Sequence, residues 1–303
     1  MPQKVLVICG ATASGKTRLA VDCALKFNTE IISADSQLIY KGLNIGTAKP
    51  TKEEMCGVKH HMIDVVEPTE SFSVSDYSER ALPILEKLLS AGKTPIICGG
   101  TGFYINSLLF DLGYGNTAAD EAVRKTYADF LEKNGKDALF DKLKEVDPET
   151  AEVLHPNDTK RVIRALEIYE LSGKKKSAQN DKLMPKYAFV AVAINYPREE
   201  LYERINMRVD EMFNQGLVEE VEGLLKHGID ENCQCMQAIG YKEVVLGLNN
   251  GYLRSTMSDI IKQNTRHYAK RQITFFKKMP NLVWINPLEA TADKVAEILN
   301  EPN

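Results

Sequence analysis

The sequence predicts an α/β fold, a parallel sheet that carries a phosphate-binding loop and is interrupted by a helical segment. Three observations predict it. Residues 4–17, KVLVICGATASGKT, join a short apolar, β-prone run to the pattern G-x-x-x-x-G-K-[ST], with Gly10, Gly15, Lys16 and Thr17 at its fixed positions. A helix-forming run follows at 18–27; strand, loop and helix in that order separate this loop from a chance glycine-rich turn. Strand-like and helix-like runs then alternate over the first ~110 residues, the pattern of a parallel sheet covered by helices. From 118 to 176 the strand signal disappears, and Ala, Leu, Glu and Lys recur at helical spacing.

Taken in order, residues 5–9 form the first strand and the loop leads into the first helix. EIISAD, residues 30–35, reads as a second buried strand ending in a carboxylate. Residues 42–50 are turn-rich, and 59–68 hold a short apolar run. Residues 72–92 place Tyr77, Ala81, Ile84, Leu85, Leu88 and Leu89 on one helical face. TPIIC, residues 94–98, is a third strand, followed by Gly99-Gly100-Thr101-Gly102 and another helix-like run. The helical stretch is broken at Asp147-Pro148 and His155-Pro156 and bounded by residues 183–185. Residues 188–194, AFVAVAI, resume the sheet; 198–226 and 259–278 read as long helices, and 282–285 as a last strand. The expected division is a core first part at 1–113, a helical insertion at 114–187, and a core second part at 188–303 with a basic C-terminal helix. The fold class is thus a P-loop NTPase-like α/β core with a helical insertion domain.

Composition narrows the partners. The chain has 303 residues, 44% hydrophobic and 26% charged, with a formal net charge of −4. That is no general nucleic-acid binder, so any nucleic acid must be held by local patches. Six scattered cysteines include one C-x-C pair at 233 and 235, without zinc spacing, and read as reduced thiols. No signal peptide or long apolar span is seen, which points to the cytoplasm.

The loop's chemistry is direct. Gly10, Ala11, Thr12, Ala13, Ser14 and Gly15 are small enough for successive N–H groups to turn inward on phosphate oxygens. The following helix adds its positive end. Lys16 supplies a cation and Thr17 a hydroxyl for Mg²⁺, which takes few protein ligands. Open α/β sheets bind ligands at the carboxyl ends of their strands, so the loop, Asp35 and Thr101 are expected to converge. Asp35 either supports Mg²⁺ through water or acts as general base beside the phosphates. Thr101 either caps its helix or donates to a ligand oxygen. Asp64 follows His60-His61 and makes a poor Walker B carboxylate, so a phosphate loop without nucleotide hydrolysis is in view.

Two basic patches break the acidic average. Residues 160–176 carry Lys160, Arg161, Arg164, Lys174, Lys175 and Lys176 against Glu167 and Glu170. Residues 260–288 carry Lys262, Arg266, Lys270, Arg271, Lys277 and Lys278 and no acidic residue. Lys262, Arg266 and Lys270 fall on one helical face, with Tyr268, Phe275 and Phe276 interleaved. One such stripe is ordinarily a solvated surface; two in an acidic chain favour a polyanion.

GATASGKT, SADSQLIYKGLNIGTAKPT, HHMIDVVEP with FSVSDY, ICGGTGFY, LHPNDTKRVIRALEIYELSGK, AIGYKE and TRHYAKRQITFF occur in this order. On these motifs the chain, from about residue 4 to 284, closely resembles the tRNA isopentenyltransferase family, the bacterial tRNA dimethylallyltransferases. The resemblance implies transfer of a dimethylallyl group from dimethylallyl diphosphate to N6 of the adenosine immediately 3′ of the anticodon. It implies that residues 10–17 hold the diphosphate with Mg²⁺ near Thr17, that Asp35 is the base, and that Thr101 is its partner. It also implies that Arg208, with Arg204 the alternative, clamps the diphosphate. Ser36, Gln37 and Leu38 would touch the target base. Lys160, Arg161 and Arg164, then Gln237, Gly240, Tyr241 and Lys242, then Lys270, Arg271, Gln272 and Lys277 would contact the tRNA anticodon stem-loop. A monomer without an obligate protein partner is implied. Two departures stand out: the glutamine after Asp35-Ser36 comes one place earlier than in many members, and TFFK replaces TWFR. The rivals are a P-loop small-molecule kinase, a prenyltransferase acting on free adenine nucleotides, and a non-catalytic RNA binder.

Overall fold

The computed structural model describes residues 4–111, 120–178 and 184–301. The expected start of the insertion, residue 114, and residue 183 at its far edge lie outside the described residues.

β1 (Val5–Cys9) is buried at all five positions, as a strand covered on both faces must be. α1 (Lys16–Phe27) follows the phosphate loop and turns Leu19, Ala20, Cys23 and Ala24 onto the sheet. β2 (Ile31–Ser33) ends just before Asp35. The turn-rich stretch yields one short helix, α2 (Lys52–Met55), opened by a capping box between Thr51 and Glu54. The next run forms a two-residue strand, β3 (His60–His61), parallel to β2. Its brevity hides it from period-2 reading. α3 (Val74–Ser90) starts at a Ser73–Asp76 capping box and buries Tyr77, Ala81, Leu85 and Leu88. β4 (Ile96–Gly99) and α4 (Gly102–Leu109) complete the first part.

After α5 (Glu121–Val146), α6 (Pro148–Val153) and α7 (Thr159–Ser172), β5 (Phe189–Ile194) returns to the sheet. The stretch read as one helix over 198–226 is two, α8 (Arg198–Asn214) and α9 (Leu217–Lys226), parted by Gly216 at φ 99°. α10 (Tyr241–Asn250) lies where the sequence reading places no helix. α11 (Arg254–Phe276) starts five residues earlier than the expected 259. β6 (Leu282–Ile285) and α12 (Ala292–Asn300) close the chain.

All ladder pairs are parallel, and the strand order is β3-β2-β4-β1-β5-β6. β1 is central, with early strands on one side and late strands on the other. The crevice of such a sheet opens at the carboxyl end of the strand where the order reverses, and here that strand feeds the phosphate loop. Leu6, Ile8, Val190 and Val192 pack against α1 and α12 in one core.

The chain divides into two compact units, Met1–Phe110 with Pro185–Asn303, and Asp111–Met184. The second has its own core of Leu139, Phe140, Leu143, Ala151, Val162 and Leu166. Its long helix is interrupted at Gly135, φ 83°. Asp147 caps α6 through Thr150 N–H and also accepts from Thr150 Oγ1 (2.6 Å) and Ser177 N–H (3.0 Å). Glu167 is fully buried and satisfied by Arg124 (2.9 Å), Arg164 (2.6 Å) and the Asp120 N–H.

Candidate active site

The phosphate loop leaves β1 at Gly10, φ 128°, and enters α1 through Gly15, φ 83°. Ala13 also sits at φ 61°, a left-handed conformation that a small residue tolerates best. Ser14 is 1% exposed and its Oγ has no partner among the described residues. An orphaned buried hydroxyl in the phosphate loop fits an anion that completes it. Lys16 Nζ donates to Ala11 O at 3.3 Å, folding the ammonium back over the loop. Burial lowers the Lys16 pKa; nearby Cys98 and Asp35 oppose that, and Arg208 adds to it. Thr17 is exposed at the helix start.

Two pockets open here, of about 60 and 310 Å³, and Thr12, Asp35, Thr47, Ala48 and Arg208 line both. Lys16, Thr17 and Leu38 line the smaller; Ser36, Gln37, Gln237, Lys242 and Arg271 line the larger. The sheet order explains the meeting. β2 lies beside β4 and β4 beside β1, so the three strand ends are neighbours.

Asp35 Oδ1 accepts the Gln37 N–H at 2.9 Å. This local turn fixes the carboxylate and spends one oxygen, leaving the other for a ligand. Thr101 stands at the start of α4 but makes no side-chain cap. Its hydroxyl instead accepts the Ser36 N–H (3.0 Å) and lies 3.3 Å from Ser36 Oγ. It therefore ties the end of β4 to the segment after Asp35. Gln37 Oε1 is buried without a partner among the described residues, an acceptor facing the same site.

The two candidate arginines separate. Arg208 Nη1 approaches Thr12 Oγ1 at 3.4 Å and lines both pockets. Its pKa is lowered by burial first and by Arg204 second. Arg204 donates to Ala13 O (2.9 Å) and stacks on Tyr196 at 4.7 Å, behind the loop. It holds the loop, while Arg208 faces the ligand space.

Several expected RNA contacts have other work. Gln272 is 5% exposed. It accepts the Thr12 N–H (2.9 Å) and donates to Gly100 O (3.0 Å), bridging the phosphate loop and β4. A Cβ on Gly100 would lie 2.1 Å from its amide nitrogen, which explains that glycine. Tyr241 is fully buried on Gly46, its hydroxyl donating to Glu220 at 2.6 Å. Gly240, at φ 102°, packs over Gly46 O. Neither Gln272 nor Tyr241 presents a free polar group to solvent. The basic stripe is also redistributed: Lys262 pairs with Asp210 (2.5 Å) and Arg266 donates to Asn206 (2.7 Å), both on α8. In the helical unit Arg161 pairs with Asp158 (3.3 Å) and Arg164 with Glu167, while Lys160 is exposed. Asp64 is bound to Lys49.

Sequence reasoning saw Tyr268 only as an aromatic interleaved in the basic stripe; it lines the larger pocket beside Asp35. Burial, then Asp35, raises its pKa. Its only signal was an aromatic one turn before Gln272 on the same helix. All six cysteines are free, and Cys98 beside Lys16 is pushed by burial up to about 12. Among the described residues no group of three or more His, Cys, Asp or Glu could hold a metal ion, and no helix is long and apolar enough to cross a membrane.

Known proteins resemble this chain throughout its length. The family model described as IPP transferase matches residues 38–279. A tRNA dimethylallyltransferase of Acetivibrio thermocellus is 47% identical over 96% of this chain and 94% of its own. One from Bacillus anthracis is 45% identical over 98% and 94%. The full-length tRNA isopentenylpyrophosphate transferase of Bacillus halodurans superposes with a TM-score of 0.73 at 40% identity, covering 98% of this chain and 97% of that one. A eukaryotic dimethylallyltransferase acting on tRNA gives 0.82 at 30% identity, covering 99% and 80%.

Proposed function

The chain belongs to the IPP transferase family, and on that premise we propose that it transfers a dimethylallyl group from dimethylallyl diphosphate to N6 of the adenosine 3′ of the tRNA anticodon. One observation carries the reading: Asp35, with one carboxylate oxygen uncommitted, shares a pocket with Lys16 and Arg208. A base thus stands beside an anion clamp.

The adenine amine is a weak nucleophile because its lone pair is delocalised into the ring. Asp35 orients it and takes its proton as the new C–N bond forms. The allylic C–O bond breaks and diphosphate leaves with the bonding pair. The loop N–H groups, Ser14, Lys16 and Arg208 receive the developing charge. Thr101 holds the Asp35 segment in place through Ser36. The target base leaves the anticodon-loop stack to enter the larger pocket, where Gln37 Oε1 is an acceptor for a base N–H. Thr17 offers a hard oxygen donor in the smaller pocket, which suits Mg²⁺ held mainly by water and substrate oxygens. When bound, Mg²⁺ neutralises charge on the leaving diphosphate.

For tRNA contacts we assign Ser36, Leu38, Gln237, Lys242, Arg271 and Lys277, with Lys160 and Arg161 on the helical unit, residues 111–184; Arg164 is held by Glu167 instead. The protein acts as a monomer in the cytoplasm.

The test is a transfer assay with Mg²⁺, labelled dimethylallyl diphosphate and unmodified tRNA with adenosines 3′ of the anticodon, beside tRNA lacking the target adenosine. Label on the first RNA alone is expected. Label on free AMP but not on tRNA would change the acceptor. ATP turnover without label on either would replace the reading by the kinase one.

A further inference from the structure

A separate cavity, of about 490 Å³, lies between α8, α11 and β6. It is within the size range of small-molecule sites. Its walls include the cations Arg198, Lys270 and Lys277 and the aromatics Tyr196, Tyr202 and Trp284, and no carboxylate. It is separate from the pockets around Asp35: neighbouring residues on α11 point apart, so Arg271 lines the larger of those while Lys270 lines this one.

The charges are what single it out. Along the same face of α11, Lys262 is paired with Asp210 and Arg266 is hydrogen-bonded to Asn206. One turn further, α8 places Tyr202 on this face, and its exposed Glu199, Glu200 and Glu203 form no ion pair with the cavity's cations. Among the described residues, no carboxylate lies within 4 Å of a nitrogen of Lys270, Lys277 or Arg198. Arg198 instead lies over the Tyr202 ring at 5.1 Å. Three uncompensated cations around one cavity, in a chain of net charge −4, call for an anion. The aromatic and guanidinium planes beside them offer stacking surfaces for a base.

We propose that this cavity binds a nucleotide, its phosphate held by Arg198, Lys270 and Lys277 and its base against the Tyr196–Trp284 wall. In the reading above, the nucleotide belongs to the bound RNA, outside the target adenosine, and that source rests on the reading; a free nucleotide presents the same chemistry. The wall is joined to the phosphate loop, since Arg204 stacks on Tyr196 and holds Ala13 O. Occupancy is therefore felt at the diphosphate site.

Trp284 is the chain's only tryptophan, so its fluorescence reports this cavity directly. Wild-type protein is titrated with AMP and, separately, with unmodified tRNA, with transfer measured in parallel. A saturable change in emission is expected. It should need at least ~10-fold more ligand in Arg198→Glu, the small end of what a charged hydrogen bond contributes. Lys277→Ala should shift it the same way, and circular dichroism checks that both variants fold. Lys16→Ala, which disables the phosphate loop, should leave it in place. A response to tRNA but not to AMP assigns the site to the RNA; a response to AMP assigns it to free nucleotides as well. No response to either ligand, a response undiminished in both cavity variants, or one lost in Lys16→Ala would overturn the proposal. Transfer with a silent Trp284 sinks this inference alone, while a responsive Trp284 without transfer sinks the assigned reaction alone.

Discussion

At the scale of single residues, the site depends on a carboxylate with one free oxygen. Asp35→Ala should lower the transfer rate at least ~10²-fold, the lower end for a positioned base, with tRNA affinity retained. Single-turnover rates beside filter binding would check it; a near-wild-type rate removes Asp35 from the role. Lys16 gives a pH signature. Its pKa is lowered chiefly by burial, so the ammonium loses its charge at a lower pH than an ordinary lysine. Affinity for a diphosphate falls as that charge is lost. The kcat/KM for dimethylallyl diphosphate should therefore decline on the alkaline side, starting below the usual lysine range. Lys16→Arg, which stays charged, should push that decline to higher pH. An identical alkaline limb in the variant would exclude Lys16 as its source.

At the scale of elements, Gln272 connects α11 to both the phosphate loop and β4. Gln272→Leu keeps the volume but leaves the Thr12 N–H and the Gly100 carbonyl buried without partners. Each such group costs roughly 1–3 kcal/mol, so urea unfolding should show a loss of about 2–6 kcal/mol, and the KM for the diphosphate substrate should rise. Stability within 0.5 kcal/mol or so of wild type, the range of an inert surface change, would refute the strut. The helical unit carries its own test. Asp147 is 1% exposed, and its pKa is lowered to about 2 although burial alone would raise it, because Ser177 and Thr150 hydrogen-bond the charged form. Its folded pKa lies below its unfolded one. Its stabilisation is thus present above about pH 4 and lost as pH falls through about 2, amounting to roughly 2 kcal/mol. Asp147→Asn should weaken the unit at neutral pH and flatten that acid limb. An unchanged acid limb would assign it to other carboxylates.

At the scale of the whole molecule, an acidic protein must hold a polyanion by arrangement. Internal pairing consumes Lys262, Arg266 and Arg164, while Lys270, Arg271 and Lys277 stay open to ligands. Replacing Lys270 and Arg271 by alanine should reduce the slope of log K against log salt for tRNA by about one for each phosphate that is no longer neutralised. An unchanged slope would return that stretch to a solvated surface.

The sequence by itself determined the parts whose signal is local. The strand–loop–helix around Gly10, Gly15 and Lys16, the apolar strands read at 5–9 and 188–194, and the helix read over 72–92 follow from composition and spacing. The ordered motifs carried the family, and with it the reaction. Only tertiary structure decided what depends on the far partner of a side chain. A two-residue strand such as His60–His61 has no period of its own and exists because Ile31 and Ile32 pair with it. A basic stripe looks the same in sequence whether α8 neutralises it or leaves it open. Gln272 and Tyr241 sit within stretches expected to touch RNA, and packing turns them inward onto Gly100 and Gly46. Charge and polarity are properties of a residue; whether they are spent inside the protein or left for a ligand is a property of the fold, because hydrogen bonds and ion pairs act over a few ångströms that sequence distance does not measure.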